Sequence, residues 1–82
     1  MDIRITLLGE LGARFGRDHT LELPEGLTAG DLRRRLIEQL DGAETVLSSP
    51  SVRLAVDQTI VADNAPLKSG QEVAFLPVYS GG

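Results

Sequence analysis

The sequence of 82 residues has no cysteine, no tryptophan and a single histidine, His19. The lack of cysteine excludes disulfides, thiolate metal ligands, iron–sulfur clusters and a thiol nucleophile. One histidine leaves neither a histidine-based metal site nor an ordinary Ser-His-Asp triad within the chain. We therefore expect no bound cofactor and no metal, and a core of leucine, isoleucine and valine must carry the fold.

The sequence also lacks an excess of positive charge and a long apolar run. Eight Lys and Arg residues stand against twelve Asp and Glu residues, and aromatic residues make up 4% of the chain. A nucleic-acid binder usually carries a basic surface and stacking aromatics, so we expect no nucleic-acid partner. No apolar run is long enough for a signal peptide or a membrane span. We therefore expect a cytoplasmic protein with no membrane contact.

Alternating apolar and polar residues predict a set of strands on both sides of one helix. The period of two, typical of a half-buried strand, occurs in residues 3–8, 20–23, 52–57 and 72–77, and a shorter strand at 60–61 follows a tight reversal. We expect a single α+β domain over residues 1–82, in which a mixed sheet carries one long helix on one face.

The helix is predicted over residues 28–40. Thr28 is a natural N-cap, and Asp31 completes a carboxylate variant of the capping box. The apolar stripe that should face the sheet consists of Leu32, Leu36, Ile37 and Leu40. The run of arginines at 33–35 then falls on the remaining faces, where a solvated surface is the simplest interpretation.

The sequence closes with Gly81 and Gly82. At an average glycine usage of about 7%, two adjacent glycines at this place occur by chance in about 0.5% of chains. Glycine has no Cβ, so such a segment can thread a narrow channel and present its carboxylate to another enzyme. Frayed ends also tolerate glycine, so the pair alone leaves open an idle tail.

Two segments resemble the small subunit of molybdopterin synthase, the MoaD family. The run LKSGQEVAFLPVYSGG at residues 67–82 has the family's glycine-containing turn, Glu-Val strand, proline and terminal Gly-Gly, and LAVDQTIV at 54–61 resembles its middle strand and turn. The resemblance implies a β-grasp, ubiquitin-like fold with a flexible C-terminal tail over residues 77–82.

The resemblance also implies a function. Family members carry sulfur: a MoeB-like adenylating enzyme uses ATP to activate the carboxylate of Gly82, and a sulfur donor protein converts it to a thiocarboxylate. The tail then enters a MoaE-like large subunit, which holds the catalytic residues, and gives its sulfur to cyclic pyranopterin monophosphate. The expected assembly is a heterotetramer of two small and two large subunits. The inserted residues would be Pro77, Val78, Tyr79, Ser80 and Gly81.

A docking surface is implied beside the tail. Leu8, Ile60 and Leu76 are apolar yet lie out of phase with the core positions of their strands. Scattered exposed apolar residues are common and need no function. The family docks its partners through the sheet face next to the tail, which implies an interface formed by Leu8, Ile60, Phe75 and Leu76.

Three functions remain open on the sequence. The first is the sulfur carrier of molybdopterin synthase. The second uses the same activated tail in another pathway, either as a sulfur carrier for thiamin, tRNA or an amino acid or as a ubiquitin-like modifier of lysines. The third is an interaction module whose terminal glycines are idle.

Overall fold

The computed structural model describes residues 1–78, which contain five strands and three helices. The strands are β1 (Asp2–Leu7), β2 (Asp18–Glu22), β3 (Val52–Val56), β4 (Thr59–Val61) and β5 (Glu72–Pro77). The helices are α1 (Glu10–Phe15), α2 (Ala29–Gln39) and α3 (Glu44–Leu47). Within this described part of the chain, no helix is both long and apolar enough to traverse a bilayer.

The strands form one mixed sheet in the order β2-β1-β5-β3-β4. β1 and β5 run parallel, and the β1–β2, β3–β5 and β3–β4 pairs are antiparallel. The predicted α+β architecture is therefore confirmed. The central position of β5 matters for function, because the C-terminal segment leaves the sheet from its middle and not from an edge.

The hydrophobic core lies on one side of this sheet. Alternate residues of the strands face it, and all three helices contribute leucines to it, which places the helices on the same side. The fully buried large side chains are Ile3, Ile5, Leu7, Leu11, Leu32, Leu36, Leu47, Leu54, Val73 and Phe75. No helix is left to cover the other face of the sheet within residues 1–78.

The capping box at the start of α2 is confirmed. The backbone N–H of Asp31 donates to the Thr28 hydroxyl, and the Asp31 carboxylate accepts the backbone N–H of Thr28 at 2.9 Å. These bonds with Thr28, and the nearby Arg34 guanidinium, hold the pKa of the Asp31 carboxyl below its usual value. The helix has 11 residues, so it is of ordinary length and not the long helix that the sequence predicted.

Arg33 departs from the predicted solvated face. Its guanidinium donates to the carbonyl of Leu47 at 2.9 Å and pairs with the Asp63 carboxylate at 3.2 Å, and its side chain is only 15% exposed. The prediction was wrong for this residue, because its aliphatic stem and charged head lie across the junction of α2, α3 and the segment after β4. Arg34 and Arg35 remain exposed, as predicted.

Two residues of the predicted tail over 77–82 lie within the described part of the chain, and both are tied to the domain. Pro77 is the last residue of β5 and lies opposite Val52 of β3. The N–H of Val78 donates to the carbonyl of Ser51 at 2.6 Å, so this residue is also tied to the domain. Tyr79, Ser80, Gly81 and Gly82 lie outside the described residues.

Candidate functional site

The sheet face opposite the helices carries a cluster of apolar side chains at its C-terminal end. Strand alternation places Ala74 and Leu76 of β5 on this face, together with Ala55 of β3 and Ile60 of β4. Leu8, just after β1, continues the same face. We call this set the open-face patch: Leu8, Ala55, Ile60, Ala74 and Leu76.

The register of the strands brings the patch together. Ala55 pairs with Ile60 on one side and with Ala74 on the other, which forms one row across three strands. Leu76 starts the next row, and Leu8 falls beside it because β1 and β5 pair in parallel and the N–H of Leu8 donates to the carbonyl of Phe75 at 3.1 Å. Directly opposed side chains on one face lie about 5 Å apart at Cβ, so the patch is continuous.

The large side chains of the patch remain accessible to a partner, whereas the small Ala55 between them is buried. Ile60 is 52% exposed and, with Val78, is one of the two large apolar residues that are exposed among residues 1–78. Leu8 and Leu76 are half-buried, although neither packs against the hydrophobic core. Scattered apolar exposure is ordinary, but a contiguous group on an uncovered sheet face is typical of a binding surface.

Phe75 does not belong to this surface. Its side chain is fully buried, and it pairs with Leu7 of β1 and Leu54 of β3, both of which point into the core. The prediction of Phe75 as an interface residue is therefore wrong, because adjacent residues of a strand face opposite sides of the sheet. Leu8, Ile60 and Leu76 lie on the open face, and their contact with a partner remains a prediction.

Charged residues border the patch at both ends. Arg53 of β3 lies directly opposite Leu76, so a guanidinium borders the apolar surface near the exit of the chain. Towards the other end of β5, Arg4 and Glu72 form an exposed ion pair at 3.8 Å. An exposed pair of this kind contributes little to stability, but it marks where the apolar surface ends.

The turn that presents Ile60 is anchored to β5. Asp57 and Gln58 connect β3 to β4 with φ angles of 48° and 72°, as in a two-residue hairpin turn of type I′. The Asp57 carboxylate accepts the N–H of Glu72 at 3.1 Å, and the N–H of Asp57 donates to the Glu72 carbonyl at 2.9 Å. The turn and the start of β5 are therefore held in a fixed relation.

The chain leaves the sheet between two backbone anchors that sequence reasoning missed. On one side, Val78 bonds to Ser51 in the turn before β3. On the other, Gly9 lies against Pro77: a Cβ placed at residue 9 would be 3.3 Å from Cγ of the proline. Neither residue carries a distinctive sequence signal, because their roles depend on which strands become neighbours in the sheet.

Other chemistry is not evident in the described part of the chain. Among residues 1–78, no group of three or more His, Asp and Glu side chains is placed to hold a metal ion. The carboxylate expected to carry the chemistry belongs to Gly82, which lies outside these residues, as do Tyr79, Ser80 and Gly81. The described geometry therefore consists of an apolar patch on the open sheet face and, beside it, the point where the chain leaves the sheet.

Comparison with known proteins identifies the family. Residues 5–82 match the model of the ThiS family. The chain is 31% identical over 80 residues to the molybdopterin synthase sulfur carrier subunit of Escherichia coli K12, which covers 98% of this chain and 99% of that protein.

Solved structures support the fold. SAMP1, the small archaeal modifier protein 1 of Haloferax volcanii, superposes with a TM-score of 0.89 at 19% identity and full coverage of both chains. Subunit 1 of the molybdopterin-converting factor of Helicobacter pylori, solved in complex with subunit 2, is a second neighbour, with a TM-score of 0.72 at 19% identity and full coverage of both chains. At such identities the likeness shows the fold alone, a β-grasp as the sequence predicted. This chain belongs to the ThiS/MoaD family of ubiquitin-like sulfur carriers.

Proposed function

We propose that this protein is the small, sulfur-carrying subunit of a molybdopterin synthase. The observation that carries the proposal is the 31% identity to the Escherichia coli sulfur carrier subunit across nearly the whole of both chains. The open-face patch supports it, because an apolar surface beside the exit of the C-terminal segment is what a carrier needs in order to dock before its tail reacts.

The chemistry takes place at the carboxylate of Gly82. A MoeB-like enzyme lets this carboxylate attack the α-phosphorus of ATP, so that pyrophosphate leaves and an acyl-adenylate forms. A sulfide equivalent delivered by a sulfur donor protein then displaces AMP and leaves a thiocarboxylate. ATP is consumed by the activating enzyme, and this chain itself holds no cofactor. ATP-dependent activation and reduced sulfur are consistent with a cytoplasmic location.

The partner of the loaded carrier is a MoaE-like large subunit. The open-face patch docks on it, and Pro77, Val78, Tyr79, Ser80 and Gly81 lead Gly82 into its active site. The thiocarboxylate sulfur forms a C–S bond to a side-chain carbon of cyclic pyranopterin monophosphate as a C–O bond at that carbon breaks. Water then hydrolyses the resulting thioester, which leaves the sulfur on the pterin and returns Gly82 to a carboxylate. Two such transfers make one dithiolene, and the proposed assembly contains two small and two large subunits. The small subunit acts as a cosubstrate, and the large subunit supplies the catalytic residues.

Reconstitution with a chemically defined carrier tests the proposal. The chain is prepared with a thiocarboxylate at Gly82 and mixed with a MoaE-like large subunit and cyclic pyranopterin monophosphate. The carboxylate form and a chain lacking Gly82 are the controls. We expect dithiolene only from the thiocarboxylate form, at two carriers consumed per product. If the thiocarboxylate form binds the large subunit but no dithiolene forms, the result would indicate a different sulfur acceptor.

An alternative hypothesis uses the same activated tail: the protein is a sulfur carrier for another pathway or a modifier of lysines. In that case proteins isolated from the producing cells would carry Gly82 in isopeptide linkage, or the thiocarboxylate would be consumed by a different acceptor. An idle tail would leave every function intact after deletion of Gly82. These outcomes separate the three readings.

A further inference from the structure

The end of β5 is held on both of its sides by backbone. On the side of β1, the N–H of Leu8 donates to the carbonyl of Phe75, and Gly9 follows immediately at the start of α1. On the side of β3, the carbonyl of Ser51 accepts the N–H of Val78 at 2.6 Å. Pro77 and Val78, the last residues before 79–82, therefore lie between two segments whose backbones are fixed.

Position 9 requires a glycine for two reasons, its backbone conformation and the space beside it. Its backbone has φ 57° and ψ −136°, a combination that side chains with a Cβ avoid. A Cβ added there would also come within 3.3 Å of Cγ of Pro77, which is tighter than an ordinary contact. The absence of a side chain at residue 9 thus lets the Pro77 ring occupy its observed place.

The Ser51 anchor decides how a change at residue 9 acts. Ser51 is itself fixed, since its N–H donates to Oγ of Ser49 at 3.1 Å and the next residue, Val52, donates to the Ser49 carbonyl at 3.0 Å. With Val78 tied to this turn, we expect a displacement of Pro77 to be taken up where the chain leaves the sheet.

We infer that Gly9 is a positioning residue, which sets the direction in which the C-terminal segment leaves the domain. The inference rests on the proposed function for its consequence. The reacting carboxylate of Gly82 lies four residues beyond Val78, so a change in the exit direction at Val78 alters where that carboxylate is presented. Misplacing a reacting group by about 1 Å costs up to about 100-fold in rate.

A distance measurement tests the direction without any sulfur chemistry. The chain has no cysteine, so Arg35→Cys on α2 and Ser80→Cys give two unique attachment points for spin labels. Pulsed electron–electron double resonance then yields the distribution of distances between the two spin labels. We compare Gly9→Ala with Gly26→Ala, because Gly26 also has a positive φ, 87°, but has nothing within 4 Å of an added Cβ.

We expect a shifted or broadened distribution for Gly9→Ala and the parent distribution for Gly26→Ala. Pro77→Ala, which removes the ring without straining residue 9, is the second variant in case Gly9→Ala does not fold, and it is expected to broaden the distribution. Unchanged distributions for both Gly9→Ala and Pro77→Ala would overturn the inference, whether or not the protein carries sulfur.

Kinetics test the consequence. Thiocarboxylate formation is followed with a MoeB-like enzyme, ATP and sulfide. We expect Gly9→Ala to lower kcat about tenfold or more with KM unchanged, because the open-face patch still docks, and Gly26→Ala to leave both unchanged. A shifted distance with an unchanged kcat would refute the positioning role. A parent protein that is never activated would refute the proposed function instead, and the distance measurement would still decide the role of Gly9.

Discussion

The substitution Leu76→Glu tests the open-face patch at the end nearest the chain exit. Leu76 is half-buried, does not pack on the core and lies directly opposite Arg53, so a glutamate there gains a cross-strand partner. The fold should therefore tolerate the change. Docking to the large subunit should be weakened, because the new carboxylate loses its hydration when it enters the interface.

The magnitude follows from two contributions. A fully buried leucine contributes about 1.5–3 kcal/mol, and the exposed part of Leu76, a minor fraction of its side chain, contributes less than about 1 kcal/mol on docking. A carboxylate that enters an interface with incomplete pairing costs about 2 kcal/mol or more. The sum of about 3 kcal/mol corresponds to a rise in Kd of about 100-fold.

The assay is calorimetric titration of the variant into the MoaE-like large subunit. The matched control is Thr20→Glu, since Thr20 is exposed on the same face and also lies opposite an arginine, Arg4, but is outside the patch. We expect the control to bind like the parent protein. Equal affinities for Leu76→Glu and Thr20→Glu, with both variants folded, would refute the assignment of the patch as the docking surface.

Three further predictions concern the fold. Phe75→Ala should lower the free energy of unfolding by about 3–5 kcal/mol, whereas Leu76→Ala should cost less than about 1.5 kcal/mol, and urea melts that showed equal losses would contradict the assignment of the two faces. Because the pKa of Asp31 is lowered in the folded state, its contribution to stability is present above pH 3.8 and is lost as the pH falls through the folded-state pKa. The difference in unfolding free energy between the parent and Asp31→Asn should therefore shrink in acid and stay constant near neutral pH, as thermal melts at a series of pH values would show. Gln58→Gly should raise stability by up to about 1 kcal/mol by relieving a φ of 72°, and a lower melting temperature would show that the turn is not strained.

Local patterns in the sequence predicted the elements well. Residues 72–77 were predicted as a strand and form β5 over the same residues. Thr28 and Asp31 form the predicted capping box because all of its atoms lie within one turn of chain. The tight reversal before Ile60 is confirmed as a two-residue hairpin turn, although it lies at Asp57 and Gln58, one residue earlier than the predicted Gln58 and Thr59.

Features that depend on distant neighbours were missed. The sequence predicts a solvated Arg33, because helical periodicity gives no information about Leu47 and Asp63, its partners 14 and 30 residues away. Phe75 was placed at the interface, although pairing with Leu7 and Leu54 fixes it in the core. Gly9 and Ser51 gave no signal for the same reason, because only the order of strands in the sheet brings them to the end of β5.

High-resolution mass spectrometry of the protein isolated from its own cells tests the central claim most directly. Oxidation of Met1 is nearly isobaric with exchange of oxygen for sulfur, so the mass must be localised to a fragment that ends at Gly82. The account predicts that sulfur replaces one oxygen at this C-terminus when sulfur is replete. A tail found only as a carboxylate under those conditions, with no adduct on Gly82, would contradict it.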